Sequence, residues 1–276
     1  MPPVIHIVGA GPGRADLLTV RAARLLARAD AVLYDRLVSP EVLELVRPDA
    51  ELIDVGKEEG QQEAIQARIY AQLEDCVQRH ETVVRLKGGD PMVFGRGAEE
   101  WAWLVERGYE VEVVPGISSA VAVPEMAGIP VTYRGIAGGF AVLTGHRTEG
   151  GCTRWAAYAH VDTLVVLMGV GHRMEIAACL LEHGRAENTP VAFIENGTTP
   201  RERVVLATLG EVARGLADVH APAVMVIGEC VRLRESLLRP RQETTLPVDT
   251  PLPTVTARSE RRYRAVTVGS GSKAIS

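Results

Sequence analysis

Asp35 and Lys57 stand where this sequence could move a proton. Asp35 lies in Leu33-Tyr34-Asp35-Arg36-Leu37-Val38-Ser39, at the end of one short apolar run, and Lys57 lies in Val55-Gly56-Lys57, at the end of the next. A carboxylate and an ammonium at the carboxyl edge of a sheet can serve as base and acid when burial or neighbours shift their pKa. A solvent-exposed ion pair is the alternative that the residues alone leave open. Two glycine loops accompany them. Gly9-Ala10-Gly11-Pro12-Gly13 closes the first apolar run, where backbone can approach a ligand with no Cβ between them. It is not a dinucleotide fingerprint, because Arg14 occupies the position of the third glycine. Pro12 also withholds a donor that a pyrophosphate cradle would use. A plain strand-to-helix turn explains this segment as well as a ligand loop does.

The run from Val84 to Gly97 (VRLKGGDPMVFGRG) is more specific. Gly88 and Gly89 permit close approach, and Asp90 can accept hydrogen bonds from ribose hydroxyls or a ligand amine. A turn alone does not account for so many glycines among charged residues. Leu167-Met168-Gly169 and Glu195-Asn196-Gly197-Thr198-Thr199-Pro200 are further loops after apolar runs, each by itself only a turn; a residue such as Met168 is more often core than ligand contact. No Walker GKS or GKT, HExxH, GxSxG or EF-hand pattern occurs, and the seven histidines have no metal-ligand spacing, so no metal site is expected.

The elements that must hold these residues alternate. Strands are expected at Val4–Ala10, Ala31–Asp35, Glu51–Val55, Thr82–Lys87 and Glu110–Val114, with helices at Leu17–Ala29, Gln61–His80 and Ala98–Arg107. Such alternation implies a parallel sheet with helices on both faces. A helix over Ser118–Ala127 then lies between Pro115-Gly116 and Gly128-Ile129-Pro130, inside a stretch, 116–138, that reads as a connector. Strands follow at Ala141–Thr144, Thr163–Met168, Pro190–Glu195, Arg203–Thr208 and Ala223–Gly228, with helices at Arg173–His183 and Leu209–Leu216. The reading is therefore α/β, with one domain over 1–115, a second over 139–238 and a Pro/Arg-rich tail over 239–276.

With 276 residues, 46% of them hydrophobic, the chain can bury a substantial core. Its net charge of −5 argues against general nucleic-acid binding. The charge is uneven: residues 232–276 carry nine Lys or Arg against four Asp or Glu, leaving −10 on the remainder. A solvated tail explains that excess. No apolar run reaches the roughly 18–20 residues of a membrane helix, and no secretory signal opens the sequence. The four cysteines form no CxxC pair and read as free thiols in a reducing cytoplasm.

Taken together, VGAGPG, LYDRLVS, VGK, VVRLKGGDPMVFGRG, VVPGISSA, AGIPVT, TGH and ENGTTPRERVV resemble the tetrapyrrole methylases, in the family's order and over roughly residues 4–230. LKGGDP followed by FGRG, together with DRLVS, is similar to the branch that methylates uroporphyrinogen III. The resemblance implies two α/β domains with the active site in the cleft between them, and a homodimer. It implies S-adenosylmethionine held by Pro12, Gly88, Gly89, Asp90, Val93, Ser118, Ser119, Met168 and Gly197, with S-adenosylhomocysteine released. It implies Asp35 as proton acceptor, Lys57 as proton donor, and methylation at C2 and then C7 to give precorrin-2, towards cobalamin or sirohaem. The eight carboxylates of that substrate need cationic partners, for which Arg36, Arg85 and Arg96 are the candidates, with Lys57 beside them and Lys87 ranked lower. Tyr133, Gly138-Gly139 and Glu58 depart from the family's usual residues and bear on substrate contacts. A methylase of a later corrin intermediate is the alternative within the family; a non-catalytic tetrapyrrole carrier and a nicotinamide oxidoreductase are the alternatives outside it.

Overall fold

A computed structural model describes residues 4–56, 62–146 and 155–238, with residues 62–64 given by backbone alone. Lys57, Glu58, Cys152 and the tail over 239–276 lie outside the described residues. The first sheet is built from β1 (Val4–Gly9), β2 (Ala31–Tyr34), β3 (Glu51–Asp54), β4 (Thr82–Lys87) and β5 (Glu110–Val114). Its order is β3-β2-β4-β1-β5, and every pairing is parallel.

Period-two alternation divides its side chains between two cores. Val8, Val32, Val84, Leu86 and Val114 face α1 (Val20–Leu26) and α2 (Pro40–Leu43), which bury Ala22, Leu25, Leu26 and Val42 against them. Ile5, Ile7, Leu33 and Val83 face α3 (Gln62–Arg79) and α4 (Gly97–Glu106), with Ile69, Leu73 and Leu104 between. The helix expected over Leu17–Ala29 is shorter than its apolar period. A 3-10 turn occupies Ala15–Leu17, and α1 begins only after Thr19, whose side chain caps Ala22 N at 3.2 Å.

The second sheet contains β6 (Phe140–Thr144), β7 (Thr163–Leu167), β8 (Pro190–Glu195), β9 (Arg203–Thr208) and β10 (Ala223–Ile227), in the order β6-β7-β10-β8-β9. Only β6 and β7 run parallel; the other pairs are antiparallel, β8 and β9 as consecutive strands and β10 inserted between β7 and β8. Leu164, Val166, Val191, Phe193, Met225 and Ile227 face α6 (Trp155–Tyr158), α7 (Arg173–Glu182) and α8 (Leu209–Ala213). Val165, Ala192, Ile194, Val224 and Val226 face the other way, against Ala120 and Val123 of α5 (Ser119–Met126) and Ala127 and Ile129 after it. The stretch read as a connector thus forms a wall of the second core. The last helix, α9 (Leu233–Leu237), packs Leu238 behind it against Gly128. No helix among the described residues is long and apolar enough to cross a membrane.

Candidate functional site

The carboxyl edge of the first sheet is where its apolar face turns charged. Val83, Arg85 and Lys87 share one face of β4, and the last two lie under α4 instead of in solvent. Asp35, the residue after β2, is fixed there by its amide, which donates to Leu86 O at 3.1 Å. Arg85 Nη2 donates to Asp35 Oδ1 at 2.5 Å and to Glu100 Oε1 at 3.1 Å. Lys87 Nζ donates to Glu100 Oε1 at 2.8 Å and lies 3.7 Å from Asp35 Oδ2. Arg85 and Glu100 have side chains 1% exposed, whereas that of Asp35 is 32% exposed. Burial alone would lower the pKa of Arg85, but Glu100 and Asp35 outweigh it and raise the value. For Lys87, burial followed by repulsion from Arg85 wins, and its pKa is lowered.

Arg85, expected to meet the substrate's carboxylates, is placed away from solvent. The guanidinium is sealed beneath α4, with Nη1 on Leu86 O at 3.2 Å and Nη2 on two carboxylates, so it serves Asp35 from within. Arg36 is exposed, and its Cβ crowds Gly56. Arg96 is part-exposed, sits at φ 59° as the residue capping α4, and pairs with Glu99 at 3.5 Å.

Beside this cluster three glycine turns interlock through backbone. Gly11 and Gly89 exchange two hydrogen bonds, of 3.2 and 2.8 Å. A Cβ on Gly116 would lie 2.2 Å from Gly89 O, and one on Gly9 would lie 2.5 Å from Gly116 Cα, so no side chain fits at these crossings. Gly88 differs: among the described residues a Cβ there would meet only Leu37 Cβ at 3.5 Å, which leaves that face of the turn open to them. Asp90, expected to meet a ligand, spends one lone pair of each oxygen on the protein: Oδ1 accepts from Met92 N at 2.8 Å, and Oδ2 from Gly116 N at 3.1 Å. Val93 N closes the same loop onto Asp90 O at 3.2 Å. Ser118 caps α5 by accepting from Ala120 N, and Ser119 N faces Gly89.

The second sheet adds its own loops. Thr198 Oγ1 donates to Pro12 O at 3.1 Å, across 186 residues of chain, and Gly197 packs so tightly that a Cβ would strike Val123. Ser39 Oγ donates to Gly13 O at 2.5 Å, so the turn after β1 is held from both sides. Met168, after β7, is 52% exposed at φ 54° and is therefore not the core methionine its type suggests. It belongs with Phe94, Arg96, Asn196 and Thr198, all at positive φ, all in loops that follow strands. Left-handed backbone at non-glycine residues is costly and collects where a loop is held for a purpose. Among the described residues no group of three His, Cys, Asp or Glu is placed to hold a metal ion.

Sequence reasoning missed Glu100 and Thr198. Glu100 carries a signal in retrospect: it shares a helical stripe with buried Gly97 and Leu104, opposite a buried strand bearing two cations. Tyr133 and Gly138 lie in and just after a tight turn closed by Tyr133 N on Ala137 O; Gly138 N is held by Asp162 at 2.8 Å.

The sequence pattern of the Tetrapyrrole (Corrin/Porphyrin) Methylases matches residues 4–213. A siroheme synthase of Psychromonas ingrahamii is 47% identical over 84% of this chain and 50% of its own length. An S-adenosyl-L-methionine-dependent uroporphyrinogen III methyltransferase, chloroplastic, of Arabidopsis thaliana is 44% identical over 83% of this chain and 64% of that protein. The chain therefore spans about half the length of the siroheme synthases it matches. Among solved structures, uroporphyrin-III C-methyl transferase of Thermus thermophilus, complexed with S-adenyl homocysteine, superimposes with a TM-score of 0.74 at 48% identity, covering 83% of this chain and 93% of that one. With a family pattern over three quarters of its length and relatives this similar, the chain belongs to the tetrapyrrole methylase family.

Proposed function

We propose that the protein transfers methyl groups from S-adenosylmethionine to carbons C2 and C7 of uroporphyrinogen III, giving precorrin-2 on the way to sirohaem or cobalamin. The observation that carries this reading is Asp35: it is the solvent-accessible member of a buried charge cluster, beside glycine turns with an open face at Gly88. The names of the relatives support the donor, the acceptor and the pathway.

The open side of the Gly88 turn is a space that a Cβ would enter, which suits close approach of a ligand to backbone. Pro12, Gly88, Gly89, Asp90, Val93, Ser118, Ser119, Met168 and Gly197 are the residues that would hold S-adenosylmethionine. When bound, it supplies a sulfonium methyl, already a strong electrophile. The protein's work is then alignment and charge. Rigid turns fix the distance between donor and carbon, which is worth several kcal/mol when the reacting atoms are held near contact. A pyrrole carbon that accepts a methyl leaves the macrocycle cationic, and a proton must depart. Asp35, held by Arg85, stabilises that cation and takes the proton. Arg36 and Arg96 meet substrate carboxylates at the rim, and Lys57 returns a proton where one is needed.

We assign the protein to the cytoplasm and to a homodimer. The edge strand β6 and the turn before it expose Phe140 and Ile136, which supports association of two copies through that edge.

The test is anaerobic incubation with uroporphyrinogen III and S-adenosylmethionine, followed by mass spectrometry of the tetrapyrrole. A gain of two methyl groups, strongly slowed in Asp35→Ala, is the expected result. Binding of the donor without any methylation of uroporphyrinogen III would move the substrate to a later corrin.

A further inference from the structure

We infer that Glu100 is a positioning residue for the reaction: through Arg85 and Lys87 it fixes where the Asp35 carboxylate points and how much positive charge lies behind it. The inference rests on the reading of Asp35 as proton acceptor and goes beyond it.

Four charged groups from three elements meet here. Asp35 follows β2, Arg85 and Lys87 lie on β4, and Glu100 projects from α4. Two cations balance two anions, and every member except Asp35 has a side chain no more than 3% exposed. Glu100 Oε1 receives Arg85 and Lys87 at once, so it draws both cations to one point beneath Asp35. Its other oxygen, Oε2, and Arg85 Nε find no partner among the described residues.

That arrangement is a poor device for stability. Buried ion pairs barely recover their desolvation, and buried polar atoms without a partner cost more. It is a good device for direction. A guanidinium is a rigid fork, and with Nη1 on Leu86 O and Nη2 on Glu100, its approach to Asp35 Oδ1 is left with a single geometry. Without the Glu100 charge, two buried cations would act on Asp35 alone. The carboxylate would be drawn down towards Lys87, now 3.7 Å from its Oδ2, and would no longer present the same oxygen to the substrate.

The experiment compares Glu100→Gln, Glu100→Asp and Asp35→Asn, alone and with each Glu100 variant combined with D35N, in anaerobic methylation assays. S-adenosylhomocysteine is titrated first to recognise a variant that does not fold. E100Q should lower kcat about tenfold or more while leaving the KM for uroporphyrinogen III and the affinity for S-adenosylhomocysteine near the parent values. E100D keeps the charge with a shorter reach and should fall between the two. In the D35N background, E100Q should cost less than about twofold in single-turnover rate, because the group it positions is gone. Should E100Q fail to fold, E100D carries the same two readouts, kcat against KM and coupling to D35N. Parental kcat in every folded Glu100 variant, or a loss that persists undiminished in D35N, overturns the inference while leaving the role of Asp35 standing. If D35N itself keeps the parent's rate, the proton-acceptor reading fails and the inference falls with it.

Discussion

Two arginine–carboxylate pairs stand behind two of the site's loops, one in each sheet. Behind Gly88-Gly89, Arg85 meets Glu100 with both side chains 1% exposed. Behind Asn196-Gly197-Thr198, Arg203 grips Glu195 through Nε and Nη2, both at 2.7 Å, with Arg203 46% exposed. The residue types are the same and the work differs. The second pair staples the start of β9 to the end of β8, and its carboxylate also accepts from His220 N at 2.7 Å, so it anchors a loop from below while water solvates the cation. The first pair has no water to share, and its geometry is handed on to Asp35. The lesson is that burial on both sides, more than the identity of the pair, decides whether a salt bridge directs chemistry or only braces a turn.

The comparison breaks most visibly at Arg85. Arg85→Met removes the shared cation and leaves Asp35 and Glu100 with Lys87 alone, one cation for two anions. Loss of one partner of a buried ion pair costs about 3–5 kcal/mol, and urea unfolding followed by circular dichroism should show a loss of that size. A loss under about 1 kcal/mol would mean that the charges on β4 behave like surface charges, and the contrast with Arg203 would dissolve.

Glu195→Gln should have a smaller effect. The amide keeps one acceptor but loses the charge-assisted pair, a change worth about 1–3 kcal/mol, with the lower end expected because Arg203 is half-exposed. Its pH dependence sharpens the point. Hydrogen bonding from Arg203, the leading cause, holds the Glu195 carboxyl below the usual carboxylate range, against the opposing effect of burial. A carboxyl whose value is lowered by folding contributes in full above its unfolded value, about 4.3, and loses that contribution as pH falls through its folded value. The stability gap between parent and E195Q should therefore hold constant from neutrality down to about pH 5, then shrink on further acidification. A gap that stays constant down to pH 2 would sever Glu195 from the acid sensitivity of this loop.

Much of this scaffold was legible. Strands β4, β5 and β8 end where apolar runs meet Gly, Pro or Glu, and those ends, like that of β9 at Thr208, fall on the expected residues. Parallel order in the first sheet follows from connections of a dozen or more residues between successive strands, most of them carrying a helix. The antiparallel insertion of β10 was not legible, because a strand's apolar pattern says which faces it buries and nothing about its neighbours. Helices α2, α6 and α9, of four or five residues, are too short to show a period. At the site, glycine loops are readable since close backbone crossings demand glycine, as at Gly9 and Gly116. The fate of a charged residue is harder to read. Arg85 and Glu100 look like surface residues until α4 is laid over β4, and only packing reveals that each is buried on account of the other.

The smallest effect, and the one that probes the second sheet's contribution most directly, belongs to Thr198→Gly. Thr198 is buried at φ 66°, a conformation that costs an L-residue about 1–2 kcal/mol and glycine almost nothing. The same change deletes the hydroxyl that donates to Pro12 O, worth about 1 kcal/mol, and loosens the unfolded chain next to Gly197 by a further fraction. These terms oppose one another, so unfolding free energy should stay within about 1 kcal/mol of the parent. Binding should not be so well compensated. Without the Thr198 hydroxyl, the turn after β1 keeps Ser39 on Gly13 O and loses its tie to the second sheet. Calorimetric titration with S-adenosylhomocysteine should then show affinity weakened several-fold, in a protein that melts where the parent does. Unchanged affinity would mean that the loops of the first sheet hold the ligand by themselves, and that the left-handed turn at Thr198 is only the shape of a hairpin end.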